Sequence, residues 1–255
     1  MSEIIRRWTV RLTVTGFLIT AMLIGIVLNP GLLYANKTKI DNYIVYHHSQ
    51  LDEDLIDRIT NAATLTEESE LYDPDFTIEI CLNDGSYYPT LIETLRGQAF
   101  GWGFYNKVVL QGKANYHENY VTLNKYRWNL EQLLAHESTH CYQFNKFGFW
   151  NANPIANYPN WKWEGYPEYV SRRGQDQLDT YSNIERWIEH QEENESKWAI
   201  EFSDSTVTPV DYYKDWILVQ YCLSVKGMTY EDLLNDMAHK EVVEEEMLNW
   251  FSKKE

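Results

Sequence analysis

The chain has 255 residues, 44% of them hydrophobic, which allows one sizeable core and a short membrane segment besides. Its 38 acidic against 22 basic residues repel a nucleic-acid backbone, and no basic stripe offsets them, so polyanion binding is excluded. The 19 Tyr, 10 Trp and 9 Phe suit a folded domain with amphipathic grooves and not a disordered chain.

Arg6, Arg7 and Arg11 precede an uncharged run from Leu12 to Leu28, which as a helix reaches about 26 Å and just spans a bilayer core. The run is apolar on all faces and its basic flank is N-terminal, as in export signals, so residues 1–35 are expected to form a membrane anchor or signal segment. An uncleaved anchor is favoured. The run exceeds a usual signal core, and the best cut, after Ala35, would leave Leu33 where a small residue is wanted. Weighed against Lys37 and Lys39, the arginines put the N-terminus in the cytoplasm and the chain after about residue 36 outside; cleavage would instead give a secreted protein. Asn36-Lys37-Thr38 and Asn194-Glu195-Ser196 are glycosylation sequons, relevant only in a eukaryotic source.

Residues 42–48 read as a first strand, and 51–65 have the apolar spacing of an amphipathic helix. Residues 76–82 alternate as a second strand. After the turn residues 83–86, a helix is predicted over 87–97, then two short strands, 107–112 and 119–124, joined by a polar turn. Strand signals stop there. Helices are predicted over 128–147 with Asn129 as cap, and over 164–173, 180–202, 211–227, 229–237 and 242–251. A strand-rich first half before a helical second half specifies an α+β fold, a small mixed sheet followed by helices, in one domain over 36–255. Cys81, Cys141 and Cys222 form no Cys-x-x-Cys pair, so at most one disulfide and no cysteine metal site is expected; Cys141 reads as a small buried apolar residue.

The stretch that carries chemistry is AHESTHCYQF, residues 135–144. On a helix His136 and His140 are about 40° apart and one turn above each other, so two imidazoles can meet one ion. Leu130, Leu133, Leu134, Cys141 and Phe144 form an apolar stripe with the histidines at its edge. Glu137 falls between the two faces, beside the histidines without superposing on them, where a general base must sit to touch a metal-activated water. A catalytic zinc needs a third protein donor. His190 lies in a segment patterned as a solvated helix face. Glu164, 24 positions after His140 at the start of a second helix, is the better candidate, with Glu168 one turn further on; spacing alone permits either.

At these residues the chain resembles the gluzincin metallopeptidases, the thermolysin-like and aminopeptidase-like clan, whose active helix is followed by a second helix carrying Trp-x-x-Glu-Gly-x-x-x-Tyr. Here Trp161, Glu164, Gly165 and Tyr169 stand at those positions, and Pro167 departs from the small residue common among relatives. The resemblance covers about residues 100–173. It implies a zincin-like fold, His136, His140 and Glu164 as zinc ligands and Glu137 as base; Glu168, one turn beyond Glu164, then suits the carboxylate to which a ligating histidine donates its other ring N–H. It also implies that residues 99–112 lie along the cleft and pair with an extended peptide, and that a tyrosine from the C-terminal helices, Tyr212 or Tyr213 with Tyr213 preferred, stabilises the oxyanion. The expected function is a zinc-dependent metallopeptidase acting on peptide or protein substrates. The rival expectation is an inactive zincin-fold binding or scaffold protein at the membrane surface.

Overall fold

The computed structural model describes residues 3–173, 177–194 and 198–253. It opens with α1 (Glu3–Leu28), of which Arg7–Leu28 is long and apolar enough to cross a membrane and is not buried by the rest of the chain. Residues just beyond it are part of the folded body: Pro30 is buried, and the Leu33 carbonyl accepts from Ser86 Oγ at 2.8 Å.

The main sheet contains β1 (Asn36–Ile40), β2 (Tyr43–His47), β3 (Ile78–Cys81), β4 (Gly101–Phe104) and β5 (Lys107–Leu110) in the order β1-β2-β3-β5-β4. Its centre is parallel and both outer pairs are antiparallel, so the sheet is mixed, as expected. Crossovers between the parallel strands carry α2 (Glu53–Glu67), started by the Asp52 side chain accepting from the Asp54 amide, and α3 (Tyr88–Arg96). Strand alternation splits the interior. Val108 and Leu110 face a large core shared with α2 and the later helices, whereas Val109 and Cys81 face a smaller one closed by Tyr88 and Ile92 of α3. The end of α1 packs on this smaller core through Val27, whose carbonyl accepts from Tyr88 Oη at 2.7 Å.

A second sheet, β6 (Lys113–Asn115), β7 (Tyr120–Leu123) and β8 (Tyr126–Asn129), leads into α4 (Leu130–Phe147). Asn129 caps that helix as expected, accepting from the Gln132 amide at 3.1 Å. Next come α5 (Asn160–Trp163), α6 (Gly165–Ser171), α7 (Thr180–Asn194), the hairpin β9 (Ala199–Glu201) and β10 (Val207–Pro209), α8 (Val210–Gln220), α9 (Tyr230–Asn235) and α10 (Lys240–Ser252). The architecture is α+β, as the sequence specifies.

Several expectations are corrected. The strands predicted over 107–112 and 119–124 do not pair with each other; the chain turns at Gly112 and delivers them to different sheets. The helix predicted over 180–202 ends near Asn194, and Ala199–Glu201 pairs with Val207–Pro209. Glu195 and Ser196 of the second sequon lie outside the described residues. The helix predicted over 164–173 is present as α6 but stops at Ser171, and Glu164 at its start also ends a short preceding helix, α5, that was not predicted. The middle of α4 is buried on every face, Leu133 to Gln143, because β4 covers one side and α2 and α6 the others. All three cysteines are free and buried.

β4 can lie this close to α4 only because Gly103 has no side chain: a Cβ there would meet the Glu137 backbone carbonyl and stand 2.9 Å from the His140 Cβ. Gly103→Ala should therefore lower unfolding free energy by about 1–3 kcal/mol through overpacking, read as a lower midpoint in denaturant titration. Gly25→Ala, where a Cβ meets nothing within 4 Å, is the control and should leave the midpoint unchanged or raise it.

Candidate metal centre

α4 presents His136 and His140 one turn apart with ring centroids 4.9 Å apart, and the break between α5 and α6 turns Glu164 toward both. Glu164 Oε2 lies 3.2 Å from His140 Nε2 and 3.7 Å from His136 Nε2. The ligand atoms of His136, Glu137 and His140 fall within 4.8 Å of one another, so the group could hold a metal ion.

Neighbours set the tautomers. Gln143 Nε2 donates to the Trp163 carbonyl at 2.9 Å and to Tyr230 Oη at 2.7 Å, which leaves Gln143 Oε1 as an acceptor facing His140 Nδ1 at 2.7 Å. His140 then carries a proton on Nδ1, and its neutral form presents a lone pair at Nε2, the atom that faces Glu164 Oε2. His136 Nδ1 faces Glu168 Oε1 at 3.1 Å, and neither atom has another hydrogen-bond partner among the described residues, so its Nε2 likewise presents a lone pair. Arg172 Nε donates to the other Glu168 oxygen, and Arg172 also donates to Gln132 Oε1 at 3.1 Å and to Thr208 Oγ1. With a cation in place, both Nε2 lone pairs and the Glu164 oxygen would face it; protonated, the same Nε2 atoms hydrogen-bond to Glu164. The donor set fits a divalent cation.

The local field favours positive charge at this point. Burial alone would lower the His136 pKa, but hydrogen bonds to Glu164 and Glu168 overcome it and raise it to about 10. Burial would raise the Glu164 pKa, yet His140 and His136 hold that carboxyl well below the usual carboxylate range. Glu137 is buried beneath β4, and burial pushes its pKa up against the opposing influence of both histidines.

The group lies at the base of a cleft of about 480 Å³ walled by Gly101–Gly103 of β4, residues 153–160 and Tyr212. Tyr212 sets its ring 6.2 Å from that of His136. Tyr213 does not reach the cleft. Its hydroxyl donates to the Asn183 carbonyl at 3.0 Å in the core, and its i, i+3, i+4 spacing with buried Trp216 and Ile217 already marks it as part of the packed face of α8. Contrary to the expectation for Tyr213, Tyr212 is the one of the two that lines the cleft. His190 is on α7, away from the cleft-lining residues. Trp161 is buried, Gly165 lets α6 approach α8 where a Cβ would stand 2.6 Å from the Asp215 carbonyl, and Tyr169 lies outside the cleft. Pro167 sits in the first turn of α6, where no amide partner is lost.

Sequence reading missed Gln143 and Arg172. Both were signalled by spacing, Gln143 three residues after His140 and Arg172 four after Glu168. No family model, curated protein or solved structure matches the chain.

Removing Glu164 deletes a converging donor, whereas removing Glu168 only frees the His136 ring. Glu164→Ala should abolish tight divalent-metal binding, and Glu168→Ala should weaken it by about 10- to 100-fold, measured by equilibrium dialysis against a competing chelator. Weaker binding in Glu168→Ala than in Glu164→Ala would reverse the two roles.

Proposed function

We propose that the chain is a zinc-dependent peptidase with a zincin-like fold. The observation that carries this reading is the convergence of His136 Nε2, His140 Nε2 and Glu164 Oε2 at the base of a cleft, with the Glu137 carboxylate beside them. Two imidazoles and one carboxylate are a donor set suited to catalytic zinc. Zinc held there would supply Lewis acidity toward a peptide carbonyl and a water.

The chain's own residues have separable tasks. Glu137 orients the attacking water, accepts its proton and returns it to the leaving amine. Its burial raises its basicity, which suits that role. Tyr212, beside His136, donates a hydrogen bond toward the carbonyl oxygen as charge develops on it. β4 ends its sheet, so its outer edge can accept an extended peptide as a further strand. Glu168 and Gln143 keep both imidazoles in the tautomer that leaves Nε2 unprotonated.

Purified protein should carry about one zinc per chain, and Glu137→Gln should keep it while losing at least about 100-fold in peptide turnover, because an amide preserves shape and accepts no proton. Elemental analysis and a chelator-controlled assay on a mixed peptide library check both. Wild-type turnover in Glu137→Gln removes the base assignment.

We also read α1 as an uncleaved anchor with the N-terminus cytoplasmic and the catalytic domain outside, which the docking of Val27, Pro30 and Leu33 on the folded body supports. Cutting after Ala35 would strip those contacts. Mass spectrometry of the mature protein should find residues 1–35 still attached; a mature N-terminus at Asn36 would establish secretion.

A further inference from the structure

Arg96, the last residue of α3, is the only Lys or Arg among the described residues lining the cleft. Its guanidinium carbon lies 4.6 Å from the ring centroid of Trp102 and 5.7 Å from that of Phe104. Trp102 is itself fixed, since its Nε1 donates to the Gly97 carbonyl at 3.1 Å. The guanidinium is thus held on a shelf of two aromatic rings with its N–H groups uncommitted.

No described carboxylate pairs with it. Glu93, one turn earlier on α3, faces Gln98 instead, and the charges Arg96 feels are those of Glu137 and Glu164 within the cleft. In a chain with 38 acidic residues, a preorganised guanidinium without a carboxylate is a vacancy of one chemical kind. It also borders the strand edge that a peptide would use. The Phe100 carbonyl accepts from the Gln111 amide, so by alternation Gly101 and Gly103 turn their backbone groups away from β5, the Gly103 amide meeting the Glu137 carboxylate and the Gly101 groups bordering the cleft.

We propose that Arg96 determines specificity by binding a carboxylate of the peptide lying on β4, either its free C-terminus or an acidic side chain close to the bond cleaved. The assignment rests on the peptidase reading for its substrate, but the recognition itself needs no turnover. A planar guanidinium pairs with a carboxylate through two parallel N–H···O bonds, which an amide cannot reproduce. Its stacked position limits the entropy lost on pairing.

The test uses full-length, metal-loaded Glu137→Gln protein in detergent and short fluorescent peptides in matched pairs, read by anisotropy. One pair differs only in a C-terminal acid against an amide, the other only in an internal Glu against Gln. The carboxylate member of at least one pair should bind about tenfold or more tightly, and raised salt should narrow the difference. Which pair discriminates tells the terminus from the side chain. Arg96→Gln should abolish the discrimination, and Arg96→Lys should restore only part of it. Equal binding within both pairs, discrimination that survives Arg96→Gln, or no binding of any peptide overturns the proposal. Discrimination by the trap variant alongside zinc-loaded wild-type protein that cleaves none of these peptides would leave Arg96 as a carboxylate reader and remove the peptidase reading instead.

Discussion

Two imidazole nitrogens and a carboxylate oxygen face one another inside a folded protein, and holding those three polar atoms together governs what surrounds them. Left alone, each would turn toward water or take up a proton. They are held by committed neighbours: Gln143 cannot rotate its amide without losing its bonds to Trp163 and Tyr230, and Glu168 is tied to Arg172. The cost of converging the donors is thus met by hydrogen bonds made one layer further out.

Charge balance leads to the same conclusion. Glu137, Glu164 and Glu168 are clustered around His136 and His140, with Arg172 on Glu168 and Arg96 at the cleft, so the site concentrates negative charge that needs cationic partners. Buried carboxylates without compensation would shift their pKa values and neutralise. Here only Glu137 is pushed upward, while Glu164 and Glu168 are held down by the positive charge of their partners, burial notwithstanding. Burial raises all three, and Glu137 is the one for which it outweighs the pull of the histidines, an asymmetry that suits acid–base chemistry.

What could be read from the sequence followed from how local each signal is. The cap of α4, the four-residue spacing of its histidines and the amphipathic run of α2 need only neighbouring residues, and all reappear in the structure. β9 and β10 have three residues each, too few for a period to show, and exist because they pair with each other and adjoin β8. Burial of α4 on all faces was also illegible, since the glycines that admit β4 lie some thirty residues earlier and look like an ordinary turn. Adjacent Tyr212 and Tyr213 differ by about 100° around α8, so only the packing face, with Trp216 and Ile217 on it, decides which one meets the cleft.

α3 links the two ends of the functional reading. Its first residue, Tyr88, grips the Val27 carbonyl at the end of α1, and its last, Arg96, stands at the cleft. Eight residues of helix separate them, about 12 Å along the axis. If α1 spans a bilayer, the cleft rim is held within roughly that distance of the point where the chain leaves the membrane, and the contact is rigid instead of passing through a flexible tether. On the peptidase proposal, an anchor of that kind would favour peptides that approach at the membrane surface, or the extended ends of proteins that reach it, by presenting them at a higher effective concentration than freely diffusing chains. Docking of the anchor and selection at the cleft are then consequences of one short helix packed on one face of the sheet.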